Sequence, residues 1–422
     1  MNGEWRGTSK PSGPHGAKTA VKPDSRAVPD HVAKRRSGEK HVQEELEKLR
    51  QAIDGIDTNL LNLLNARMEL ALQVGRLKAD KGLPLFHPER EEIIFDRLNR
   101  LNPGPLSEYS LRSIYREIFS ASRILQVPLR VAFLGPEWTY SHLAALSFYG
   151  HAAQYVACPT IEDVFDALTK GKVDTAVIPI ENSLQGGIGL SMDLLYEKEV
   201  NVVGECYLEI AHYLCGRAKS IDDVQRLYAH PQTLEQSRQW LMEKLKHAEQ
   251  HECASTYGAA LLARKDPAGA AICNLYAARH YGLPILAERI EDHAGNTTRF
   301  LALADHHNPK TGKDKTSVLF AVADQPGALF SALKPFSRKA VNMSRIESRP
   351  NRMMRWQYLF YVDFEGHADD EEVKEALAEL KNHVSFLKIL GSYPQKDPMH
   401  PIRPENERIR GLDSINADAK IG

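Results

Sequence analysis

The chain has 422 residues, of which 42% are hydrophobic and 26% are charged, so it holds enough apolar material for about two to four domains. Its formal net charge of −1 provides no strong field for nucleic acid or an anionic membrane, and a small-molecule ligand is expected instead. No apolar run approaches the roughly 20 residues of a membrane-spanning helix, and the first residues lack the apolar stretch of a signal peptide. The sequence therefore predicts a cytoplasmic protein.

The five cysteines are scattered along the chain. They form no CxxC pair and have no histidine at the spacing of metal ligands, so neither a disulfide framework nor a metal site is expected. No cofactor is predicted either.

Residues 1–40 are rich in Gly, Pro, Ser, Lys and Arg, and predict a disordered basic arm. Apolar residues then recur at alternating steps of three and four, which predicts one long helix that ends before Gly82. Proline at the first turn predicts a second helix over 88–101, and a third is expected over 108–125. Residues 41–127 therefore predict an all-α domain.

The pattern becomes α/β over residues 129–306, where the runs VAFL, TAVIPI and AAIC indicate buried strands between helical segments. Such alternation predicts a mostly parallel sheet. After a polar linker, residues 315–395 follow the order strand, helix, strand, strand, helix, strand, which is typical of a ferredoxin-like α+β fold. The polar residues 396–422 predict a flexible tail.

Two cations occupy the apolar face of the long predicted helix. Arg67 takes a heptad position where the pattern calls for Leu, and Lys78 lies about 20° away on the same face. Burial of both without partners would cost several kcal/mol each, so an anionic ligand is expected beside them. An intramolecular salt bridge or a polar residue that fixes the helix register explains the spacing equally well. Ser122 and Gln126, four residues apart on the third helix, are placed to face the same cavity.

Polar residues also follow two predicted strands of the α/β region. Thr139 and Ser141 begin a helix, where N–H groups and hydroxyls suit a carboxylate. Glu181, Asn182 and Ser183 come directly after TAVIPI, at the strand end where open parallel sheets bind ligands. Plain N-capping is the simpler explanation for any single hydroxyl, so neither cluster alone identifies a site.

The helical segment KLRQAIDGIDTNLLNLLNARMELALQVGRLKADKGLPLFHPEREEII, followed by SASRILQ, resembles the all-helical chorismate mutase family over essentially all of residues 41–126. The resemblance implies that Arg67 and Arg50 bind the two carboxylates of chorismate, with Arg50 reaching into the site of a second subunit. The other implied pocket residues contact the breaking bond or the ring: Lys78 and Gln126 donate to the ether oxygen, Glu91 holds the ring hydroxyl, and Ser122 and Arg90 complete the pocket. A pericyclic rearrangement needs only a compact substrate and donors aimed at the developing charge. His87 departs from the carboxylate that several relatives carry.

The segments GPEWTYSHLAA, VIPIENSLQGG, LYAHPQTLEQS, CASTYGAALLA and GLPILAERIEDHAGNTTRFLAL resemble prephenate dehydratase. Such enzymes have two α/β lobes with the active site between them. The resemblance implies two sets of substrate ligands: Thr139, Ser141, Glu181, Asn182, Ser183, Thr298 and Arg299 on one lobe, and His230, Gln232, Ser255 and Thr256 on the other. Trp138 departs from the small residue that is usual in its turn.

Prephenate loses CO₂ and hydroxide together, so the enzyme must assist a leaving hydroxyl while the ring carboxylate sheds its charge. The resemblance assigns Thr298 as the principal donor to that hydroxyl. The residues implied to orient the carboxylates and the carbonyl are Asn182, Gln232, Ser255 and Thr256. Arg299 is either a ligand of the pyruvyl carboxylate or a structural residue beside a strand. His230 is either a site residue or a turn residue.

The segment DQPGALFSALKPFSRKAVNMSRIESRP resembles the phenylalanine-binding ACT domains of these enzymes. The implied effector ligands lie at a helix start and on the following strand: Gly327, Ala328, Leu329, Asn342, Glu347 and Ser348. Gly327 and Ala328 leave room for a carboxylate at the helix N–H groups, although Pro-Gly-Ala-Leu is also an ordinary turn. ACT modules pair side by side, which implies a homodimer or a higher homo-oligomer.

Together the resemblances predict a multidomain enzyme that rearranges chorismate to prephenate and converts prephenate to phenylpyruvate, with feedback inhibition by L-phenylalanine. Two alternatives stay open: an arogenate-preferring dehydratase, and a non-catalytic sensor that uses the two-lobed cleft. A sensor needs no chorismate pocket, so the mutase residues argue for the enzyme.

Overall fold

A computed structural model describes residues 30–80, 88–126, 129–350 and 358–403. The chain divides into two units, residues 1–66 and 67–422. Most of the predicted arm and the last part of the predicted tail lie outside the described residues.

The first helix, α1 (Asp30–Asp80), contributes to both units. It begins at Asp30, so residues 30–40, which were assigned to the disordered arm, are helical. Ala33, Lys34 and Arg35 are strong helix formers, and a helix that is already nucleated extends through them at little cost.

An apolar stripe follows the heptad positions of α1 and faces solvent in the single chain. Each of its members exposes between 44% and 68% of its surface. The members of the apolar stripe are Leu46, Leu49, Ile53, Ile56, Leu60 and Leu63 in the first unit, and Leu70, Val74 and Leu77 in the second. So much contiguous apolar surface on one helix indicates an unmet packing partner.

The second and third helices confirm the sequence prediction. They are α2 (Pro88–Leu101) and α3 (Glu108–Gln126). They pack through the edge-to-face rings of Phe95 and Phe119, whose centroids lie 5.2 Å apart. We call α2, α3 and the part of α1 from Arg67 onward the helical region.

A first α/β lobe follows, with a six-stranded sheet in the order β2-β1-β3-β11-β5, and β4 attached to β3. Its strands are β1 (Arg130–Leu134), β2 (Gln154–Cys158), β3 (Thr175–Asn182), β4 (Gly186–Gly187), β5 (Asn201–Glu209) and β11 (Thr297–Ala304). Its helices are α4 (Tyr140–Tyr149), α5 (Ile161–Thr169) and α6 (Gly189–Glu197).

The second lobe has a five-stranded sheet in the order β10-β6-β9-β7-β8. Its strands are β6 (Tyr213–Gly216), β7 (Arg226–Ala229), β8 (Glu249–Glu252), β9 (Gly269–Cys273) and β10 (Ile285–Ala287). Its helices are α7 (Pro231–Gln236), α8 (Arg238–Lys244), α9 (Thr256–Lys265) and α10 (Leu275–His280).

Both lobes have mixed sheets rather than the mostly parallel sheet that the alternation of elements predicts. In the first lobe, β2, β1 and β3 are parallel, but β11 runs antiparallel to both β3 and β5. Strand β11 comes back from the second lobe, and its direction therefore depends on a long-range connection that local patterns do not encode.

The C-terminal domain has the predicted βαββαβ order. It contains β12 (Asp314–Ala321), α11 (Ala328–Arg338), β13 (Met343–Pro350), β14 (Tyr358–Glu365), α12 (Glu371–Leu380) and β15 (Phe386–Pro394). The sheet order is β13-β14-β12-β15, and all pairs are antiparallel. One face packs under α11 and α12, while Leu319 and Tyr361 on the other face join the core of the first lobe.

Residues 396–403 are docked, so the prediction of a flexible tail from residue 396 is wrong for this part. Ile402 forms a parallel bridge with Leu208, and its backbone N–H and C=O bond to Tyr207 and Glu209 of the edge strand β5. The apolar side chain of Ile402 packs on the lobe core. One half-buried apolar side chain and an open strand edge therefore outweigh the polar composition of the segment.

Candidate active sites and effector site

The helical region places Arg67 against neutral groups. Its guanidinium donates to the Ser122 hydroxyl at 2.5 Å and lies 5.2 Å from the ring centroid of Phe119. Burial lowers the pKa of Arg67, and Tyr115 and Glu91 offset part of that effect. Within the described residues, the direct contacts of this cation are thus a hydroxyl and a ring. Among the side chains that the structure describes, no salt bridge accounts for Arg67.

Glu91, the implied ligand of the ring hydroxyl, is held by a residue that the sequence analysis missed. The guanidinium of Arg123 on α3 forms a short ion pair with its carboxylate. Burial raises the pKa of Glu91, and the charge of Arg123 offsets only part of this rise. Arg123 directly follows Ser122 in sequence, but nothing in the heptad pattern links it to Glu91.

The substrate contacts of the remaining implied mutase residues stay predictions. Arg50 is 65% exposed in its side chain and lies 3.9 Å from Glu47. Arg90 is exposed on the first turn of α2, and Lys78 is half-buried on α1. Gln126 ends α3, and its side chain, like the departure at residue 87, lies outside the described residues.

In the first lobe, the structure brings Asn182 and Thr298 together at the end of the paired strands β3 and β11. The Nδ2 atom of Asn182 donates to the Oγ1 atom of Thr298 at 3.0 Å and to the Oδ1 atom of Asn296 at 2.8 Å. The hydroxyl of Ser183 also donates to Asn296, at 3.3 Å, and accepts from the N–H of Thr297 at 2.9 Å. Asn296 is a second residue that the sequence analysis missed.

This geometry determines what Thr298 can donate. A hydroxyl carries one proton and two lone pairs, and the amide of Asn182 occupies a lone pair. The amide orientation is fixed because its Oδ1 atom accepts from the N–H groups of Leu184 and Gln185, at 3.1 Å and 3.2 Å. The proton of Thr298 is therefore directed away from Asn182 and can be given to another acceptor.

The two lobes meet at a side-chain contact between predicted site segments. Gln232 on α7 donates through Nε2 to the Oε1 atom of Gln185 at 2.7 Å. Gln185 follows Asn182 in the loop after β3, so the contact joins the first lobe to the second. Two of the segments that carry predicted ligands, one from each lobe, therefore lie in contact.

Several predicted ligands act as helix caps in this structure. Ser255 accepts from the N–H of Gly258 at 3.0 Å, and His230 accepts through Nδ1 from the N–H of Gln232 at 3.2 Å. Thr139 caps α4 in the same way. Their substrate contacts stay predictions, as do those of two neighbouring residues, Ser141 and Thr256.

Trp138, where the sequence departs from the usual small residue, adopts a left-handed backbone conformation with φ of 64°. Its ring stacks on His280 with centroids 4.5 Å apart, and its carbonyl accepts from Asn274 at 2.7 Å. Its backbone N–H donates to Nδ1 of His142 at 3.0 Å, and burial lowers the pKa of that histidine to about 4. The large ring is thus accommodated by packing against the second lobe.

The side chain of Arg299 points into the C-terminal domain rather than toward the cleft residue Thr298. Its nitrogens bond to Glu205 at 2.9 Å, Asp363 at 2.5 Å and the hydroxyl of Tyr393 at 2.9 Å. Burial lowers the pKa of Arg299, but the charge of Asp363 and its other partners raise it well above the usual value. These contacts favour the structural alternative, and its role as a substrate ligand stays a prediction.

Strand β13 of the C-terminal domain lies against the loop that carries the dehydratase ligands. Arg345 lies 2.9 Å from the carboxylate of Glu181 and also pairs with Glu347. Gly187 leaves room for Glu347, because a Cβ atom at Gly187 would lie 2.1 Å from its Oε1 atom. The implied effector strand therefore touches the segment that begins at Glu181.

The other implied effector residues lie at the start of α11 and beside β13. Gly327 adopts φ of 80° as the N-cap of α11, a conformation that favours glycine. Ala328 is buried and Leu329 is half-buried, while Asn342 and Ser348 are exposed.

Within the described residues, there is no group of three or more His, Cys, Asp and Glu side chains that is placed to hold a metal ion. None of the helices in this part of the chain is both long enough and apolar enough to cross a bilayer.

Three protein-family models match the chain in succession. They are chorismate mutase type II over residues 49–127, prephenate dehydratase over residues 131–308 and the ACT domain over residues 316–382. The fold and the sites thus define a chain with a mutase, a dehydratase and an ACT region.

Individual proteins are similar to most of the chain. The bifunctional chorismate mutase/prephenate dehydratase of Aquifex aeolicus is 42% identical over 356 residues, which cover 83% of this chain and 98% of that protein. Arogenate dehydratase 2 of Petunia hybrida is 38% identical, over 69% of this chain and 76% of that protein. The solved structure of prephenate dehydratase in complex with L-Phe from Arthrobacter aurescens is 32% identical, has a TM-score of 0.59, and covers 69% of this chain and 98% of that one. This chain belongs to the bifunctional chorismate mutase/prephenate dehydratase family.

Proposed function

We propose that this chain rearranges chorismate to prephenate in its helical region and converts prephenate to phenylpyruvate in the cleft between its α/β lobes. L-Phenylalanine is the feedback inhibitor and binds the C-terminal domain. The single observation that carries this proposal is the contact of Asn182 with Thr298, which leaves the hydroxyl proton of Thr298 for another acceptor.

In the mutase step, Arg67 and Arg50 bind the two carboxylates of chorismate. Arg67 suits this role because its direct contacts are a hydroxyl and a ring, so its guanidinium can still pair directly with a carboxylate. Donors aimed at the ether oxygen stabilise the charge that develops as the C–O bond breaks, and these donors are Lys78 and Gln126. The residues assigned to the ring hydroxyl and the pocket wall are Glu91, Arg90 and Ser122.

In the dehydratase step, Thr298 donates a hydrogen bond to the leaving hydroxyl while the ring carboxylate departs as CO₂, and the departing hydroxide takes its proton from solvent. Aromatisation of the ring provides the driving force, so the hydroxyl needs a well-placed hydrogen bond rather than a strong acid. The side chains that orient the substrate are those bordering the cleft: Thr139, Ser141, Glu181, Asn182, Ser183, His230, Gln232, Ser255 and Thr256.

We propose a homodimer that is built on the apolar stripe of α1. Pairing with a second copy would bury side chains such as Leu60 and Leu70, at roughly 25 cal/mol for each Å² of apolar surface removed from water. It would also bring Arg50, which is exposed in one chain, toward the site of the partner subunit. The five free cysteines agree with a cytoplasmic location, where thiols stay reduced.

Arogenate is the alternative substrate of the dehydratase step, and the similarity to a protein named arogenate dehydratase supports testing it. Arogenate carries an ammonium where prephenate carries a carbonyl, so the two differ in one contact at the side-chain carboxylate. A non-catalytic sensor would bind either compound without turning it over.

The test supplies chorismate to the purified full-length protein and follows prephenate and phenylpyruvate, with and without phenylalanine. Prephenate and arogenate are then supplied separately. The proposal requires both products from chorismate, and a slower dehydratase step with phenylalanine. Binding without turnover would support the sensor, and a higher kcat/KM for arogenate would reassign the second substrate.

A further inference from the structure

Resting on the proposed mutase function, we propose that Arg123 is a positioning residue of the mutase site. It holds the carboxylate of Glu91 in place, and the first α/β lobe in turn fixes Arg123. Neither Arg123 nor this link between the regions belongs to the residues that the resemblance implies.

The ionisation of Glu91 depends on Arg123. Its side chain is 20% exposed and that of Arg123 is 11% exposed, so the pair is largely shielded from water. Burial alone would favour the protonated carboxyl, and it raises the pKa of Glu91 even with Arg123 present. Arg123 is the hydrogen-bond partner of Glu91 among the described residues. Without this arginine, Glu91 would lose both its orientation and much of its tendency to ionise.

Arg123 is itself fixed by a backbone carbonyl of the first lobe. Its Nη2 atom donates to the backbone carbonyl of Tyr149 at 2.7 Å. Tyr149 is the last residue of α4, and carbonyls in the last turn of a helix carry partial negative charge and lack partners within the helix. The guanidinium therefore bridges a mutase carboxylate and a helix end of the first lobe, and both contacts restrict its rotation.

Helix α3 approaches the end of α4 closely. Gly150 follows α4 with φ of 71°, and a Cβ atom there would lie 2.6 Å from the Cβ atom of Ser120. The Oγ atom of Ser120 accepts from the N–H of Ala152 at 3.1 Å, and Glu117 lies 3.1 Å from the ring of His151. These contacts keep α3 against the lobe, so the distance between Arg123 and Tyr149 does not depend on a single flexible side chain.

Loss of Arg123 should shift the pH dependence of mutase kcat/KM in one direction. Arg123 lowers the pKa of Glu91, so its removal raises that pKa further above the usual value. If the ring hydroxyl binds ionised Glu91, the acid limb of the mutase kcat/KM profile moves to higher pH in Arg123→Met. A shift of about one pKa unit corresponds to about a tenfold loss of mutase kcat/KM on the acid limb.

The experiment measures mutase kcat/KM against pH for the full-length wild type, Arg123→Met and Arg123→Lys, with prephenate turnover as the control for folding. We expect the profile to shift in Arg123→Met, to return part of the way in Arg123→Lys, and dehydratase turnover to stay within about twofold. The matched control is Arg112→Met, because Arg112 also lies on α3 and pairs with the neighbouring glutamate, Glu92, at 2.9 Å. Its mutase profile should keep the wild-type shape.

A double-mutant cycle separates positioning from a general structural role. If Arg123 acts through Glu91, Arg123→Met should have little further effect in the Glu91→Gln background. An equal loss in both backgrounds, or an unshifted profile in Arg123→Met, overturns the inference while the proposed function stands. Absence of mutase turnover in the wild type instead overturns the proposed function.

Discussion

The dehydratase cleft and the mutase helices differ in how far one chain completes them. In the cleft, the amide of Asn182 already holds Thr298 and Asn296, and Gln232 reaches across from the second lobe. On α1, by contrast, the apolar stripe is uncovered and Arg50 is exposed. The hydrogen-bonded amides of the cleft already have partners within the chain. Within the part of the chain that the structure describes, the exposed apolar stripe of α1 has no such partner and is stabilised only when another surface covers it. We therefore expect the dehydratase step to depend on contacts within one chain and the mutase step to depend on a second chain.

The largest expected effect separates the two activities at Lys78. Lys78→Ala removes the donor assigned to the ether oxygen, and loss of one such donor costs about 10²–10³-fold in kcat. Mutase turnover should nearly vanish, while dehydration of supplied prephenate continues. Steady-state assays on each substrate measure this, and equal loss of both activities would contradict the assignment.

The reverse separation is expected at Thr298. Thr298→Ala removes the proton that the contact with Asn182 directs outward, and a positioned donor of this kind contributes about 10²–10⁴-fold. Dehydratase kcat should fall by about 10²-fold or more, with mutase turnover unchanged. The matched variant is Thr298→Ser, which keeps a hydroxyl and should retain most of the activity. Near-normal dehydratase turnover in Thr298→Ala would remove Thr298 from the centre of the site.

The apolar stripe gives the third test, at the level of assembly. Leu60→Glu places a charge on the surface that we propose pairs with a second copy, so the dimer should weaken. Sedimentation should show a lower mass at micromolar concentration, and mutase activity per chain should fall about tenfold and become dependent on concentration. Asn59→Glu adds the same charge at the neighbouring exposed position, off the stripe, and should change neither. An unaltered mass in Leu60→Glu would disprove pairing through this surface.

The smallest effect is expected at the contact between the C-terminal domain and the cleft. Arg345→Met removes the cation that lies 2.9 Å from Glu181, and with it one link between the effector strand and the site. The phenylalanine concentration for half-inhibition of the dehydratase should rise about threefold to tenfold, since coupling between sites is typically about 1–3 kcal/mol. Calorimetry should show that phenylalanine still binds.

The control for Arg345→Met is Arg338→Met, which breaks the pair of Arg338 with Glu379 on the far surface of the same domain. It should leave inhibition as it is. If both variants lose inhibition equally, the effect belongs to the stability of the domain and not to the contact with Glu181.

The sequence predicted those features that local patterns encode. The bounds of α2 follow from Pro88 at its first turn, and the βαββαβ order of the C-terminal domain follows from alternation and turn residues. Asn182 and Thr298 were predicted as ligands separately. Their direct contact depends on the pairing of β3 with β11, which the chain makes only after it has built the second lobe.

The features that the sequence did not predict depend on contacts between distant segments. Arg123 acquires its role from Glu91 and Tyr149, and Asn296 acquires its role from Asn182, so neither stands out in a periodic pattern. The sequence left Arg299 open between an anion ligand and a structural residue, and the contact that favours the structural role comes from Asp363 of another domain. The type of a charged residue limits which groups it can bind, but the groups beside it in the fold determine which of them it contacts.

The docked segment around Ile402 has a practical consequence for shortened forms of the protein. Strand β5 is the edge of its sheet, and residues 396–403 cover part of that edge through the backbone of Ile402. A protein truncated after Pro394 would leave those N–H and C=O groups open, and a bare strand edge is a template for pairing between molecules. Such a form should aggregate, even though every residue assigned to substrate or effector is still present.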